Sequence, residues 1–354
     1  MALGSQGGFS IAGRPIGPGH PPYLIAEMSG NHKGELSTAL KLIEAAKEAG
    51  ADAVKLQTYT ADTITIDHDG PEFQLTGGLW AGRSLYDLYQ EAHTPWDWHG
   101  PLFEHAAKVG IPLFSSPFDP TAVDLLAGLG APAFKIASFE LVDLPLIRAA
   151  ARHGKPMILS TGLASLGEIA EAVAAVRDEG VPVMLLHCTS GYPTPPEDCD
   201  LRTIPHMAEA FHVPVGLSDH THGVAVPVAA VALGAVVVEK HFTLSRADGG
   251  VDAEFSLEPQ EFAAMASACR TAWAALGRVD YELKPSEIAG AGHRRSLYVV
   301  ADLAAGEVVT ERHVRSIRPG NGLAPKYLPQ VLGMRAARPL KRGEPFDWTM
   351  VTKP

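Results

Sequence analysis

Long apolar runs, long basic runs and cysteines are all scarce in this sequence of 354 residues. The longest apolar stretches, such as Val228 to Val238, are too short to cross a bilayer, and this one contains Gly234, so we expect no transmembrane helix. A formal net charge of −11 without a basic run argues against a protein whose main task is to bind nucleic acid.

The cysteine count bears on the compartment. Only Cys188, Cys199 and Cys269 are present, so any disulfide pairing leaves one of them free, which favours a reducing environment. The N-terminal MALGSQGGFS has neither a basic start nor an apolar core, and it does not read as a secretion signal. We therefore expect a cytoplasmic protein.

Apolar side chains are abundant. They make up 46% of the chain, against 19% charged residues, which is enough for a large core and a further small domain. From Tyr23 onward, short runs rich in Val, Ile and Leu alternate with longer Ala-rich segments of helical periodicity. The predicted strands are Tyr23 to Met28, Ala53 to Tyr59, Pro112 to Phe118, Ala133 to Ser138, Pro156 to Thr161, Pro182 to Cys188, Pro214 to His220 and Val236 to Phe242.

Eight βα units in about 250 residues predict a (β/α)8 TIM barrel, with a doubly wound open sheet as the alternative. Nearly every predicted strand is apolar at its start and polar at its end, where barrel enzymes place their chemistry. One long segment, Thr60 to Trp98, interrupts the rhythm and predicts either a functional loop or a flap packed over the barrel rim.

The composition changes near the C-terminus. Short strand patterns and the turns Gly306-Glu307 and Gly343-Glu344 replace the βα rhythm there. The sequence therefore predicts a barrel domain over 13–284, a linker over 285–292 and a small domain over 293–354.

Two histidines end the last two predicted strands. Because strand side chains alternate between faces, Ser218 points the same way as His220, and Glu239 the same way as His241. The two histidines are candidates for binding one divalent ion, with Glu27 or a water near the remaining positions. The alternative is a pair of ordinary hydrogen-bonded histidines.

Lys55 and Lys135 lie in the second and fourth predicted strands, without an obvious acidic partner in the sequence. An anionic ligand is the partner that we expect. Short hydroxyl donors suited to phosphate or carboxylate oxygens surround these lysines, although each could instead cap the helix that follows it. They are Ser115, Ser116, Ser138, Ser160 and Ser218.

A family resemblance rests on motifs from all eight strands. The chain resembles the sialic acid synthases from about Gly13 to the C-terminus, and its RPGNG tail resembles the antifreeze-like, or SAF, domain that closes such enzymes. The motifs are IAEMSGNHKG, KLQTYTADT, SSPFD, KIASFE, LSTG, HCTSGYPTP, GLSDHT and EKHFT. Within the family, the segments Ser84 to His99 and Phe242 to Pro259 are similar to the pseudaminic acid branch.

The resemblance implies an activity. Phosphoenolpyruvate would condense with 2,4-diacetamido-2,4,6-trideoxy-altrose and water to give pseudaminic acid and phosphate, with N-acetylneuraminate or legionaminate synthesis as alternatives. More distant alternatives are a Schiff-base pyruvate aldolase, which also uses barrel lysines, and a non-catalytic carbohydrate-binding protein.

The resemblance also implies residue roles. Glu27 would be the catalytic carboxylate, and His220 and His241 would bind Mn²⁺, or alternatively Mg²⁺ or Co²⁺. Phosphoenolpyruvate would be held by Lys55, Ser116, Lys135, Ser138, Ser160, Ser190 and Ser218, although Ser190 stands where the N-acetylneuraminate branch has an asparagine. The sugar would be contacted by Gln57, Glu140, Tyr192 and Asp252, and by Arg318 of the neighbouring subunit in a domain-swapped homodimer.

Overall fold

The computed structural model describes residues 8–353 of the chain, so most of the N-terminal stretch judged for a secretion signal lies outside them. The chain divides into two compact units between Gly277 and Arg278. The sequence placed this boundary after residue 284. The predicted linker contains a 3₁₀ turn, Pro285–Glu287, and a short helix, Ile288–Ala291.

The first unit is a closed barrel of eight parallel strands in sequence order, in which the last strand pairs with the first. The predicted (β/α)8 barrel is therefore confirmed, with strand ends that differ from the predicted ones by one or two residues. A two-stranded hairpin, β1 Ser10–Ile11 and β2 Arg14–Pro15, precedes it. The barrel strands are β3 Tyr23–Glu27, β4 Ala53–Thr58, β5 Leu113–Pro117, β6 Phe134–Ile136, β7 Met157–Ser160, β8 Val183–Cys188, β9 Val215–Asp219 and β10 Val237–His241.

Helices pack around the barrel because each presents one apolar face to the strands. Local signals set their limits: Gly50 and Gly180 follow two helix ends with φ of +89° and +74°, and Ser165 caps the helix that ends before Gly180. The helices are α1 Leu36–Glu48, α2 Ala61–Ile64, α3 Leu85–Ala92, α4 His99–Val109, α5 Pro120–Gly128, α6 Leu144–Ala151, α7 Leu166–Asp178, α8 Thr203–Phe211, α9 Ala225–Ala232 and α10 Pro259–Leu276.

Inward-facing residues change from apolar to polar along each strand. The apolar members form one buried cluster that includes Tyr23, Phe114 and Val237, and the hairpin residue Ile11 belongs to the same cluster with 0% exposure. Strand β9 contributes a glycine at this level, because a Cβ at Gly216 would lie 2.6 Å from the Val237 carbonyl oxygen. These apolar side chains close the amino-terminal end of the barrel, here called the floor. The carboxyl ends of the strands are therefore the chemically active end of the barrel.

The long segment after β4 contains α2, α3 and the 3₁₀ turns Pro71–Phe73 and Trp96–Trp98. It is tied to the barrel at its C-terminal end, where His99 Nε2 lies 2.8 Å from Thr58 Oγ1. At its tip, Trp80 Nε1 donates a hydrogen bond of 2.8 Å to the Val251 carbonyl oxygen. The segment therefore packs over the barrel rim, as the flap interpretation requires.

The second unit has its own small core around Leu297, Val314 and Phe346. Its regular elements are α11 Ile288–Ala291, β11 Ser296–Val299, β12 Val314–Ile317, α12 Leu328–Val331, β13 Arg335–Ala336 and β14 Val351–Thr352. Within residues 8–353, no helix is both long and apolar enough to cross a membrane.

Candidate active site

Two lysines and two glutamates form a buried charge cluster inside the barrel. Lys135 Nζ lies 3.0 Å from Glu239 Oε1, and Lys55 Nζ lies 3.5 Å from the same oxygen. Lys55 Nζ also lies 2.6 Å from Glu27 Oε2. None of the four residues is more than 5% exposed. The expectation that the lysines lack acidic partners was therefore wrong, since Glu239 reaches both of them from β10.

Within the cluster, the pKa values of the four groups shift in different directions. Burial raises the pKa of Glu27 above its ordinary value, although Lys55 lies beside it. Burial would also raise the pKa of Glu239, but Lys135 and Lys55 together lower it below the ordinary carboxyl value. The pKa of Lys135 falls because of burial, whereas the two glutamates outweigh burial at Lys55 and raise its pKa. Glu27 is thus the carboxyl group of the cluster that most readily takes up a proton.

Glu27 is also held by neutral donors. Its Oε1 accepts hydrogen bonds from Gln57 Nε2 at 3.0 Å and from the Ser29 amide at 3.1 Å. Ser29 Oγ in turn donates a short hydrogen bond to Asp252 Oδ2, and burial raises the pKa of Asp252 to about 6. The predicted residues Glu27, Gln57 and Asp252 therefore belong to one hydrogen-bonded network.

Three of the predicted serines converge on the loop that follows β7. Ser138 Oγ accepts a hydrogen bond of 3.1 Å from the Gly162 amide. A Cβ at Gly162 would lie 2.2 Å from Ser190 Oγ and 2.8 Å from Ser138 Oγ, so only glycine leaves these hydroxyl groups in place. Ser160 Oγ is buried and has no hydrogen-bond partner in the described structure. This group of residues, here called the serine cradle, offers several donors to an anion.

The other two predicted serines lie beside the charge cluster rather than in the cradle. Ser116 Oγ lies 3.3 Å from Lys55 Nζ. Ser218 Oγ lies 3.4 Å from Glu239 Oε1. The cradle and the cluster are connected along the chain, because Lys135 lies on β6 and faces the barrel interior, and Ser138 follows that strand.

His220 and His241 are neighbours across β9 and β10, with ring centroids 5.4 Å apart. His220 Nδ1 lies 3.1 Å from the Thr189 carbonyl oxygen, which favours a proton on Nδ1 and leaves Nε2 free. His241 makes no side-chain hydrogen bond to any described residue, and its Nδ1 is buried. Burial, with His220 nearby, lowers the pKa of His241 well below its ordinary value, so this imidazole is neutral and has a free lone pair.

These two side chains fit a divalent ion, because neutral imidazole is a common ligand and one of the histidines is oriented by a backbone carbonyl. In residues 8–353, no three His, Cys, Asp or Glu side chains are arranged to hold a metal. Water and substrate would therefore supply the remaining ligands. Burial lowers the pKa of His220, but nearby Cys188 raises it overall, so an ion and a proton would compete for Nε2.

The remaining predicted residues lie around this centre. The Tyr192 ring is 4.4 Å from His220. Glu140 follows Ser138 in a 3₁₀ turn, and its buried Oε2 has no hydrogen-bond partner within the described chain. Arg318 lies in the second unit, where it is exposed.

Several residues of the site were not predicted for it. Glu239 could have been found by strand alternation, since it shares a face with His241. Gly162 lies in the quoted LSTG motif, but its role depends on the positions of Ser138 and Ser190. Trp80 gave no usable signal, because its approach to Tyr192 depends on how the long segment folds over the rim.

Glu140 provides a test of this description that does not depend on activity. Burial raises its pKa from 4.5 to about 7. Ionised Glu140 therefore costs stability, and the cost appears as the pH rises from the unfolded value through the folded one. We predict that Glu140→Gln stabilises the protein more at pH 8 than at pH 5, by at most about 3 kcal/mol.

Urea unfolding at the two pH values measures this difference. The exposed helix residue Glu171 supplies the control, since Glu171→Gln should change stability almost equally at both values. A pH-independent effect of Glu140→Gln would show that this carboxyl group is not desolvated.

Comparison with known proteins places these residues in a family. The model of the NeuB family matches residues 42–281, and that of the SAF domain matches residues 294–352. The chain is 45% identical to the pseudaminic acid synthase of Campylobacter jejuni, over 91% of this chain and 94% of that protein. It is 42% identical to the pseudaminic acid synthase of Helicobacter pylori, with 92% and 97% covered.

Two further similarities complete the comparison. The N,N'-diacetyllegionaminic acid synthase of C. jejuni is 38% identical, with 91% of this chain and 97% of that protein covered. The crystal structure of N-acetylneuraminic acid synthetase from Leptospira borgpetersenii, in complex with citrate, matches with a TM-score of 0.72 and 33% identity over 80% of this chain and 95% of that chain. The chain therefore belongs to the NeuB family and carries a C-terminal SAF domain.

Proposed function

We propose that this chain is a pseudaminic acid synthase, which condenses phosphoenolpyruvate with 2,4-diacetamido-2,4,6-trideoxy-altrose and water to give pseudaminic acid and phosphate. The two relatives at 45% and 42% identity support the choice of sugar. One structural observation carries the chemistry: two buried lysines share Glu239 Oε1, and the strand of Lys135 leads to Ser138 of a serine cradle that only glycine leaves open.

The proposed phosphoenolpyruvate site combines the cradle with the charge cluster. Ser138, Ser160 and Ser190 would donate to one end of the anion, and Lys55, Lys135, Ser116 and Ser218 would surround the other. The cluster of Lys55, Lys135, Glu27 and Glu239 has no net charge when all four groups are ionised. A bound anion therefore adds uncompensated negative charge, which a proton on Glu27 or a bound cation would reduce.

In the reaction, the methylene carbon of the enol bonds to the aldehyde carbon of the open-chain sugar, and the aldehyde oxygen takes up a proton. Water adds to the central carbon of the former enol and loses a proton. The resulting hemiketal phosphate then breaks the bond between its central carbon and the phosphate oxygen, while the added hydroxyl group gives up its proton and becomes the ketone oxygen, and phosphate leaves.

We propose that Glu27 moves these protons. Its pKa is raised by burial, and its Oε1 is held by Gln57 and Ser29, so the carboxyl group has a fixed orientation. Lys55 remains ionised next to it, because the two glutamates raise the pKa of Lys55. The lysines thus stabilise phosphate and carboxylate charge while Glu27 exchanges a proton. Gln57, Glu140, Tyr192 and Asp252 would contact the sugar.

His220 and His241 would hold a divalent ion, for which we propose Mn²⁺, with Mg²⁺ or Co²⁺ as alternatives. When bound, such an ion polarises an aldehyde oxygen or a water molecule. The Thr189 carbonyl oxygen orients His220 for this role through the hydrogen bond to Nδ1.

We also propose a domain-swapped homodimer, in which Arg318 of each subunit completes the sugar site of the other. Each unit exposes large apolar side chains that a partner could cover. In the first unit, Phe139 and Leu163 are 57% and 74% exposed, and they lie next to Ser138 and Gly162. In the second unit, Val279 and Tyr281 are 90% and 98% exposed.

A cytoplasmic location is supported by three free cysteines.

Phosphate release tests the proposed function. The protein is incubated with phosphoenolpyruvate, Mn²⁺ and a panel of N-acetylated sugars. We expect the highest kcat/KM with 2,4-diacetamido-2,4,6-trideoxy-altrose. Equal or higher turnover with N-acetylmannosamine would identify a neuraminate synthase instead.

The serine cradle is tested by Gly162→Ala. Because the new Cβ would displace Ser190 Oγ and Ser138 Oγ, we expect KM for phosphoenolpyruvate to rise at least about 10-fold, while KM for the sugar changes less. Gly167→Ala is the matched control, because the closest contact of its Cβ is 3.9 Å. Unchanged KM for phosphoenolpyruvate would show that the cradle does not bind this substrate.

The metal assignment is tested by titrating Mn²⁺ and recording the electron paramagnetic resonance of the free ion. We expect His220→Ala and His241→Ala each to weaken Mn²⁺ binding at least about 10-fold and to abolish activity. The exposed His222 provides the control, since His222→Ala should bind Mn²⁺ as the wild type does. Normal binding by both site variants would contradict the assignment.

The dimer proposal predicts complementation between two inactive variants. In a mixture of Arg318→Ala and Lys135→Ala subunits, each heterodimer keeps one intact site, so we expect up to about a quarter of wild-type activity after exchange. Arg315 is an exposed neighbour of Arg318 in the second unit, and the Arg315→Ala variant should be active by itself. Confirmed subunit exchange without recovery would show that Arg318 does not act across the interface.

A further inference from the structure

A stack of aromatic rings extends outward from the histidine pair. Tyr192 lies 4.4 Å from His220, and Phe255 lies 4.9 Å from His241. Trp80 forms the next layer, with its ring 5.7 Å from Tyr192 and 6.5 Å from Phe255. Trp80 therefore packs on the rings that cover the histidines.

The indole of Trp80 is fixed by the fold of its segment. Leu75 and Arg83 are joined by a backbone hydrogen bond of 2.9 Å, which closes the base of the loop that carries Trp80. Trp80 Nε1 donates to the Val251 carbonyl oxygen, next to the proposed sugar contact Asp252. The only polar hydrogen of the side chain is thereby used, while the residue as a whole stays partly exposed.

We propose that Trp80 is a specificity-determining residue, whose indole forms an apolar wall for the methyl-terminated end of a 6-deoxy sugar. The inference rests on the proposed function. Three bonds of an extended chain span roughly 3.5 Å. With the aldehyde carbon near His220 and His241, the sixth carbon of an extended sugar is five bonds further along and therefore lies about 6 Å from the aldehyde carbon. Tyr192 lies 4.4 Å from His220 and Trp80 a further 5.7 Å from Tyr192, so a methyl group about 6 Å beyond an aldehyde carbon that contacts the histidines comes to the layer of Trp80.

The wall discriminates through desolvation. A methyl group loses nothing when it leaves water for the indole face, whereas a hydroxymethyl group gives up hydrogen bonds. Trp80 cannot replace them, because Nε1 already donates to Val251. Apolar pockets discriminate against an added hydroxyl group by up to about 100-fold, so a preference of 10-fold or more is within reach.

The test compares two sugars that differ only at the sixth carbon, 2,4-diacetamido-2,4,6-trideoxy-altrose and its 6-hydroxy analogue. We expect Trp80→Ala to lower the ratio of their kcat/KM values at least about 10-fold, with KM for phosphoenolpyruvate unchanged. Trp80→Phe keeps an apolar ring and should retain most of the ratio. Leu79→Ala, a 40% exposed neighbour on the same loop, is the control for loop integrity.

A second measurement does not require turnover. The protein contains five tryptophans, so 5-fluorotryptophan labelling gives five ¹⁹F resonances, of which Trp80→Phe assigns one. We expect the trideoxy sugar to shift the Trp80 resonance more than the 6-hydroxy analogue does. Wild-type protein that releases no phosphate with any sugar of the panel refutes the proposed function and this inference with it. If the wild type turns over but Trp80→Ala leaves the kcat/KM ratio unchanged, or the sugar does not shift the Trp80 resonance, only the role of Trp80 is refuted and the proposed function stands.

Discussion

Two lysines share one carboxylate oxygen inside the barrel, and the organisation of the site depends on this contact. Lys55 and Lys135 reach Glu239 Oε1 from different strands. Burying such ions costs several kcal/mol each, and apolar residues of similar volume are often at least as stable. Stability therefore does not explain why the lysines are there. The proposed anionic ligand would, because the carboxylates would hold both ammonium groups in position until that ligand shares them.

The barrel makes this arrangement possible through a gradient along each strand. Inward residues near the strand starts, such as Tyr23 and Val237, close the floor with apolar side chains. Two or four residues later, the same faces carry Glu27 and Glu239. Because all eight strands are parallel, their polar ends meet at one level, and the closed floor keeps water from reaching the charges from below.

The same gradient explains why much of the fold could be predicted from the sequence. Apolar runs bounded by Pro and Gly are local signals, and all eight predicted runs form strands. Their polar ends placed Lys55, Lys135 and His241 in one site before any contact was known. Local signals do not give distances across the barrel, so the pairing of Lys135 with Glu239, which lies 104 residues away, could not be inferred.

Loops posed a different difficulty. The role of Gly162 depends on where Ser138 and Ser190 come to lie, and these belong to other βα connections. Trp80 reaches the mouth through a segment of irregular structure whose path depends on many weak contacts. The sequence identified that segment as a functional loop or a rim flap but could not indicate which of its residues faces the site.

Strands and loops therefore hold different parts of the proposed reaction. The lysines and most of the serines assigned to phosphoenolpyruvate lie on strands or directly after them, where backbone pairing fixes their positions. Apart from Gln57 on β4, the residues assigned to the sugar, such as Tyr192, Asp252 and Trp80, lie on connections between the strands, which tolerate substitution more easily. A change in a loop can then alter the sugar without disturbing the enolpyruvate site.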